Sequence, residues 1–401
     1  MKAFETIRKT CEKNSSISKT VIDEFLLYYA AAAYKLDRTM TQSFSAYRHV
    51  TNEFEKEWIN RQKAQYLAHK IFKSDGLIRK IITHTELRKL SKSEMDFLEL
   101  QATQPWRFCF SIIIENPSKD FYNMEDILTG EKFTLYSPGI TDIINTQAIP
   151  LWFNLIGFNG ACWQTYGPIE AFKSFEPDDI FFFATELDGT IETEEDIIQN
   201  LEKNPLPYMM LLSGANYPLT VHKQDQMVQA YSDYSVESFD TLMLKESFTS
   251  EFSHGVYRFT LKRWGKHPHF AHIYFDEKKK NVLISANTDR GFHALVTAIN
   301  QYGHKFSTEP DIRVNMSMLI TANKILKKEI ILNEYDNLFQ VDTSPEDKEI
   351  IDNLNVFISL ILPEINAGQT PDIEKCAAKA GIDIETARDL VNNLLNKFGK
   401  L

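Results

Sequence analysis

The fold turns on PWRFCFSIIIENPSKDFYNMEDILTGEKFTLYSPG, residues 105–139, followed after a short spacer by GFNGACWQTYGP, residues 157–168. FCFSIIIE and FYNMEDIL carry the β-branched and aromatic residues of strands, Thr129-Gly130 offers a hairpin turn, and EKFTLYS supplies the partner strand. LWFNLIGFNGACWQTYG adds one or two more, with Gly157, Gly160 and Gly167 at bends or bulges. Several short strands so close together predict a small antiparallel barrel or curled sheet. DILTGE reads as a tight hairpin, and nothing in the stretch forms a constellation that performs a reaction.

Upstream the period is helical. VIDEFLLYYAAAAYKL places Ile22, Phe25, Leu26, Tyr29 and Ala33 at spacings of three and four, a second run covers Thr51 to Phe72, and Ser91 with Glu94 makes a capping-box pattern before a third. Residues 1–104 are therefore expected to be a helical domain and 105–186 the small β domain. In residues 187–340 an acidic run precedes SHGVYRFTLKRW, HFAHIYFD and KNVLISAN, and then a helix burying Phe292, Leu295, Val296 and Ile299, with Thr193 as an earlier helix cap and Gly303 as a helix stop. Such a sheet-plus-helix unit makes the class α+β. In the tail, residues 341–401, Ser344-Pro345 starts one helix and Thr370-Pro371 another. Gly381 ends the latter, Asp383 caps the last, and Ile384, Ala387, Val391, Leu394 and Phe398 form its stripe, the dimensions of a helix-turn-helix hairpin.

The 401 residues are 43% hydrophobic and 25% charged, ordinary for a multidomain globular protein. Up to Gln104 there are 18 Lys and Arg against 13 Asp and Glu, a net of +5, which leaves −16 of the total −11 for the rest. That excess opposes binding to phosphates or anionic membranes through the larger part of the chain. Cys11, Cys109, Cys162 and Cys376 stand singly, which fits neither a zinc ribbon nor a disulfide scaffold, and reduced, mostly buried thiols are expected. The charged N-terminus has no signal-peptide core and no apolar run nears the roughly 20 residues of a membrane helix, so the expected location is cytoplasmic, with no membrane partner.

Three surfaces stand out. Trp152, Phe158, Trp163, Gln164 and Tyr166 are the candidate ligand or partner surface; aromatics of this kind line grooves on small barrels, although most of those here read as core. Arg61, Lys63, Lys70, Lys73, Arg79 and Lys80 form a basic patch. It is open to nucleic acid or an acidic partner, but reads first as a solvated helix face or as pairing with the chain's own acidic segment from Glu176 to Glu202. His267, His269 and His272 cluster in KHPHFAH, but period-two alternation sends the last two to opposite strand faces, so no metal site or cofactor is expected. Adjacent carboxylates such as Asp178-Asp179 do not converge as acid–base pairs must. G-x-S-x-G, Walker A, G-x-G-x-x-G and H-E-x-x-H motifs are all missing.

The order of LSKSEMDFLELQATQPWRFCFSIIIE, the hairpin MEDILTGEKFTLYS, and later AHIYFDEKKKNVLISANTDRGFHALVTAINQYG resembles a group of bacterial proteins associated with the SEC-C metal-binding motif. Asp126 to Glu131 match that group's hairpin element, and Asn287, Thr288 and Arg290 approximate its later turn. The likeness covers about the middle half of the chain. The SEC-C cysteine cluster is missing, so the resemblance implies domain order and no metal.

Together these readings lead to a non-catalytic interaction or regulatory protein with a macromolecular partner, in the first instance a protein. The alternatives are nucleic-acid binding through the basic helices or the tail, and an enzyme with polar groups converging near Gln164, Tyr166, Asp178 and Asp179 at the barrel mouth.

Overall fold

The computed structural model describes residues 2–144, 149–215, 221–222, 225–241, 244, 246–339, 345–366 and 370–397. The chain divides into two compact units, Met1–Glu334 and Tyr335–Leu401. The class is α+β, with a closed barrel and a second, open sheet.

The barrel is made by β1 (Arg107–Ser118), β2 (Phe121–Asp126), β3 (Lys132–Tyr136), β4 (Leu151–Phe158) and β5 (Trp163–Thr165), with β6 (Ala171–Phe172) added outside β4. Strand order β1-β2-β3-β5-β4 closes through a β1–β4 pairing, and all pairs are antiparallel except β3–β5. With a helix (Pro138–Ile144) inserted between β3 and β4, this is the connectivity of an OB-type Greek-key barrel. Alternation sorts the side chains. Cys109, Tyr122, Met124, Phe133, Leu135, Trp152 and Ile156 fill the interior, whereas Phe108, Phe110, Phe153 and Leu155 face outward into the helices. Because β4 is covered on both faces, seven of its eight residues are buried, and the strand reads as an unbroken apolar run. The DILTGE hairpin forms as expected: Asp126 Oδ1 accepts from Leu128 N at 2.9 Å, and Gly130 takes φ 68°.

Upstream lie α1 (Lys2–Ile17), a π-helical stretch (Ser18–Leu26), α2 (Leu27–Ala33), α3 (Leu36–Ser45), α4 (Arg48–Thr51), α5 (Lys56–Phe72), α6 (Ile78–Ile81) and α7 (Lys92–Thr103). The wider π turn shifts the helix face. Ile22 and Leu26 are buried as expected, but Ala30 and Ala31, not Ala33, continue the buried row. The Ser91–Glu94 capping box is present. Phe72, Trp106 and Tyr166 stack at 4.2 and 4.0 Å, joining α5 to the barrel in one core. Gly157 is needed there, since a Cβ would sit 2.5 Å from the Trp106 ring.

We number the Pro138–Ile144 helix α8; α9 (Pro177–Leu187), α10 (Glu194–Lys203, capped by Thr193) and α11 (Leu206–Met210) follow the barrel. A two-stranded ladder, β7 (Val221–His222) and β8 (Asp225–Gln226), leads to the second sheet. Its strands are β9 (Val228–Ser235), β10 (Phe248–Ser253), β11 (Val256–Leu261), β12 (His272–Asp276), β13 (Asn281–Ala286) and β14 (Ile312–Asn315), antiparallel in the order β10-β11-β12-β13-β9-β14. Helix α12 (Asp289–Asn300) lays Phe292, Leu295, Val296 and Ile299 on one face of it, as its spacing predicts. Thr288 caps α12, and Arg290 pairs with Asp225 at 2.5 Å. Helix α13 (Met316–Leu326) returns to the first core.

The second unit contains α14 (Pro345–Asn366), α15 (Ile373–Ala380) and α16 (Ile384–Lys397). Gly381 ends α15 at φ 69°, and Asp383 Oδ2 accepts from Thr386 N at 2.9 Å. The α15 cap is Asp372, accepting from Lys375 N, two residues beyond the Thr370-Pro371 start read from the sequence; a carboxylate accepts this bond, and Pro371 cannot. Ala387 and Val391 are buried. Ser344, Phe398 and the Leu394 side chain lie outside the described residues. Among the described residues no helix is long and apolar enough to cross a membrane.

Candidate binding cleft at the barrel mouth

Asp126 closes one end of β2 and organises what surrounds it. Its Oδ1 holds the hairpin turn, while its Oδ2 accepts from Arg107 Nη1 at 2.7 Å and from the Cys109 thiol at 3.4 Å. Arg107 also donates to Glu131 at 3.1 Å, and its guanidinium lies 5.2 Å from the Trp163 ring centre. Burial pushes the Cys109 thiol well up, and the neighbouring Asp126 carboxylate adds to this, so it is an inert core thiol.

Beside this cluster opens a cleft of about 380 Å³ with walls that include Trp106, Phe108, Leu128, Trp163, Ile198 and Leu201. Its polar lining residues are Ser74, Gln104, Arg107, Asp126 and Glu202. The last turn of α10 forms the far wall. Glu202 accepts from His69 Nε2 at 3.0 Å and faces Lys73 at 3.5 Å. Burial lowers the His69 pKa and keeps the ring neutral, whereas burial of Glu202 is outweighed by the bond from His69 and the charge of Lys73, which hold its carboxyl below the usual range. Glu202 is thus an ionised carboxylate bonded once, by His69, and ion-paired with Lys73, and the lowered pKa of the buried His69 imidazole makes that ring a weak base.

Of the five residues singled out in the sequence as a partner surface, three are core. Trp152 is sealed inside the barrel because β4 points it inward. Tyr166 is buried against Trp106, and burial raises its phenol. Gln164 is spent on Ser15 Oγ at 2.7 Å and Asn159 at 3.0 Å. Phe158 and Trp163 remain half-buried, edge to face at 5.9 Å, and only Trp163 lines the cleft. Arg107, Leu128, Ile198 and Leu201 were missed. They read as strand, turn and helix stripe, and the one sequence signal for them is Ile198, an apolar residue beside the Ile197–Leu201 face that α10 buries.

The basic residues are partly spent within the chain. Lys73 donates to the Glu202 carbonyl at 3.3 Å and Lys70 to that of Lys203 at 3.2 Å, where cations favour the C-terminal end of α10. Burial lowers the Lys70 pKa. Lys63 and Lys70 lie over the Phe44 and Tyr66 rings, and Arg79 faces Asp75 at 3.7 Å. Pairing with the acidic segment therefore occurs at one place, the end of α10. Arg61 lies near enough to Glu170 to lower a carboxyl pKa that burial raises.

The groups that an enzyme at the mouth would need are dispersed. Asp179 is bound to Asn315 N at 2.8 Å and Asn315 Nδ2 at 2.5 Å, and Asp178 lines a different cleft beside Arg313. His269 and His272 bond to Thr288 and Thr260 respectively. Among the described residues no group of three or more His, Cys, Asp and Glu is placed to hold a metal ion.

Compared with family models, curated proteins and solved structures, the chain matches none.

Proposed function

We propose that the chain is a non-catalytic binding protein whose barrel-mouth cleft seats an apolar side chain of a protein partner. The observation that carries this is the state of the cleft's charged groups: Arg107 is engaged by Asp126 and Glu131, and Glu202 by His69 and Lys73, so recognition falls mainly to the apolar walls. A cavity of about 380 Å³ suits one anchoring aromatic or aliphatic side chain, the usual core of a protein interface. The resemblance to SEC-C-associated proteins read from the sequence adds no activity to this reading, and a cytoplasmic location belongs to the same proposal.

A photo-crosslinking residue at exposed Ser74, on the rim, tests it in host cells. One defined protein adduct that disappears with Ile198→Arg supports the proposal, and adducts unchanged by that substitution overturn it.

Nucleic-acid binding is the second reading, favoured by the OB connectivity, in which the β2–β3 face and neighbouring loops take oligonucleotides. Here α1 lies against Phe121 and Tyr136 on that face, leaving the exposed cations Arg61, Arg79 and Lys80 as the contact. It requires a complex whose affinity falls steeply with salt; no shift of DNA or RNA at low ionic strength removes it.

A further inference from the structure

At the other end of β2 the fold brings together two thiols that are 151 residues apart in the chain. Cys11 on α1 and Cys162 in the β4–β5 turn place their sulfurs 3.5 Å apart, both buried, in a small cluster with Phe4, Ile7, Phe121 and Tyr136. Their neighbours fix them. Asn159 Oδ1 accepts from the Ala161 and Cys162 amides at 2.9 Å each, which aims its Nδ2 at Cys11 Sγ, 3.2 Å away, and at Cys162 Sγ, 3.7 Å away. Gln164 Nε2 donates to the Cys11 carbonyl at 3.2 Å, tying α1 to β5. Arg8, on the same helix, pairs with Asp120 at 2.7 Å and puts positive charge beside the pair.

We infer that Cys11 and Cys162 are a dithiol–disulfide redox site, oxidised by a small peroxide, with Cys11 as the attacking sulfur and Cys162 as the resolving one. The Cys11 thiolate attacks one peroxide oxygen and the O–O bond breaks. The sulfur becomes a sulfenic acid, and the leaving hydroxide takes up a proton as water. Cys162 then attacks the Cys11 sulfur, the S–O bond breaks, and the departing hydroxide leaves as water with the Cys162 proton. Two thiols and one hydrogen peroxide give one disulfide and two waters.

The two roles follow from the surroundings. The bond from the Cys162 thiol, with that from Asn159 and the charge of Arg8, outweighs burial and lowers the Cys11 pKa, while the same shared hydrogen bond and burial hold Cys162 as a thiol. The sulfurs must close from 3.5 Å to about 2.05 Å, which a shift of α1 by about 1.5 Å supplies. Oxidation thereby fixes α1 covalently over Phe121 and Tyr136. Burial restricts the oxidant to small molecules arriving along the α1 seam, where Arg8 is 26% exposed.

The test treats the full chain with one equivalent of hydrogen peroxide, alkylates it in denaturant and maps the peptides. Four alkylatable thiols should fall to two, with a Cys11–Cys162 linked peptide that a reducing agent releases. Cys109→Ser and Cys376→Ser should keep the link, and Cys11→Ser and Cys162→Ser should lose it. The map of the unsubstituted chain decides the matter even where a variant misfolds. Four thiols surviving treatment of the folded protein, stable sulfinic acid at Cys11 with no link, or a link to Cys109 or Cys376 would overturn the inference.

Discussion

The two ends of β2 are built alike and used differently. Each has an arginine 2.7 Å from an aspartate at the strand's end, Arg107 with Asp126, the last residue of β2, and Arg8 with Asp120, just before its first, and each guanidinium lies over aromatic rings, Trp163 in one case and Phe121 and Tyr136 in the other. The difference is where the arginine comes from. Arg107 belongs to the barrel, and its end stays open as an apolar cleft. Arg8 arrives on α1, and that helix closes its end with Phe4, Ile7 and Cys11. The same charge pair serves in one place to neutralise a site and in the other to dock a lid of sequence. A buried aspartate with an arginine is thus no mark of catalysis by itself.

The largest effect should come from the wall that supports the open end. Trp106 is sandwiched between Phe72 and Tyr166 and donates to Gln101 at 2.5 Å, so Trp106→Ala should cost about 4 kcal/mol in denaturant unfolding. A loss under 1 kcal/mol would mean that the stack does not hold barrel and helices together.

A third aspartate sharpens the comparison because it has no arginine. Among the described residues Asp179 is met only by amide donors of Asn315 and Glu176, and burial outweighs those bonds to push its pKa up to about 6 from 3.8. With the folded pKa above the unfolded one, its contribution is full below about pH 4 and lost as pH rises through about 6. That change is on the order of 3 kcal/mol. Asp179→Asn cannot titrate, so its destabilisation relative to the parent should be greatest near pH 4 and shrink towards pH 6; a gap that widens over that range contradicts the assignment.

The arginines themselves should rank in order of how buried their partners are. Arg107→Met leaves Asp126, 4% exposed, with amide and thiol donors alone and should cost about 2 kcal/mol, less than a fully buried pair because Arg107 is itself 27% exposed. Arg8→Met should cost about 1 kcal/mol, Asp120 being somewhat more open and still bonded to Thr141. Equal losses in thermal and denaturant unfolding would erase the distinction between an arginine that is part of the barrel and one that docks on it.

Strand alternation and turn chemistry made most of the barrel readable in advance, because Phe108, Cys109 and Phe110 must alternate and Thr129-Gly130 must turn. Its closure was not, since β5 is only three residues long and its parallel pairing with β3 has no local signature. The capping boxes at Ser91 and Thr193 were legible for the opposite reason: both partners lie within one turn. The cleft was hidden because Leu128 and Ile198 meet only through the tertiary fold. Trp152 and Tyr166 looked like surface candidates because an aromatic in a strand carries no mark of which face is solvated. Burial of Cys11 was expected with that of the other thiols, but only the fold puts it beside Cys162.

The cleft's role is decided most directly by titrating the partner identified from the Ser74 adduct against purified variants. Ile198→Arg should weaken binding about thirtyfold or more, as loss of a hot-spot pocket does, while joint neutralisation of Arg61, Arg79 and Lys80 leaves it within about twofold. Binding that survives Ile198→Arg and collapses when those cations are neutralised would contradict the account.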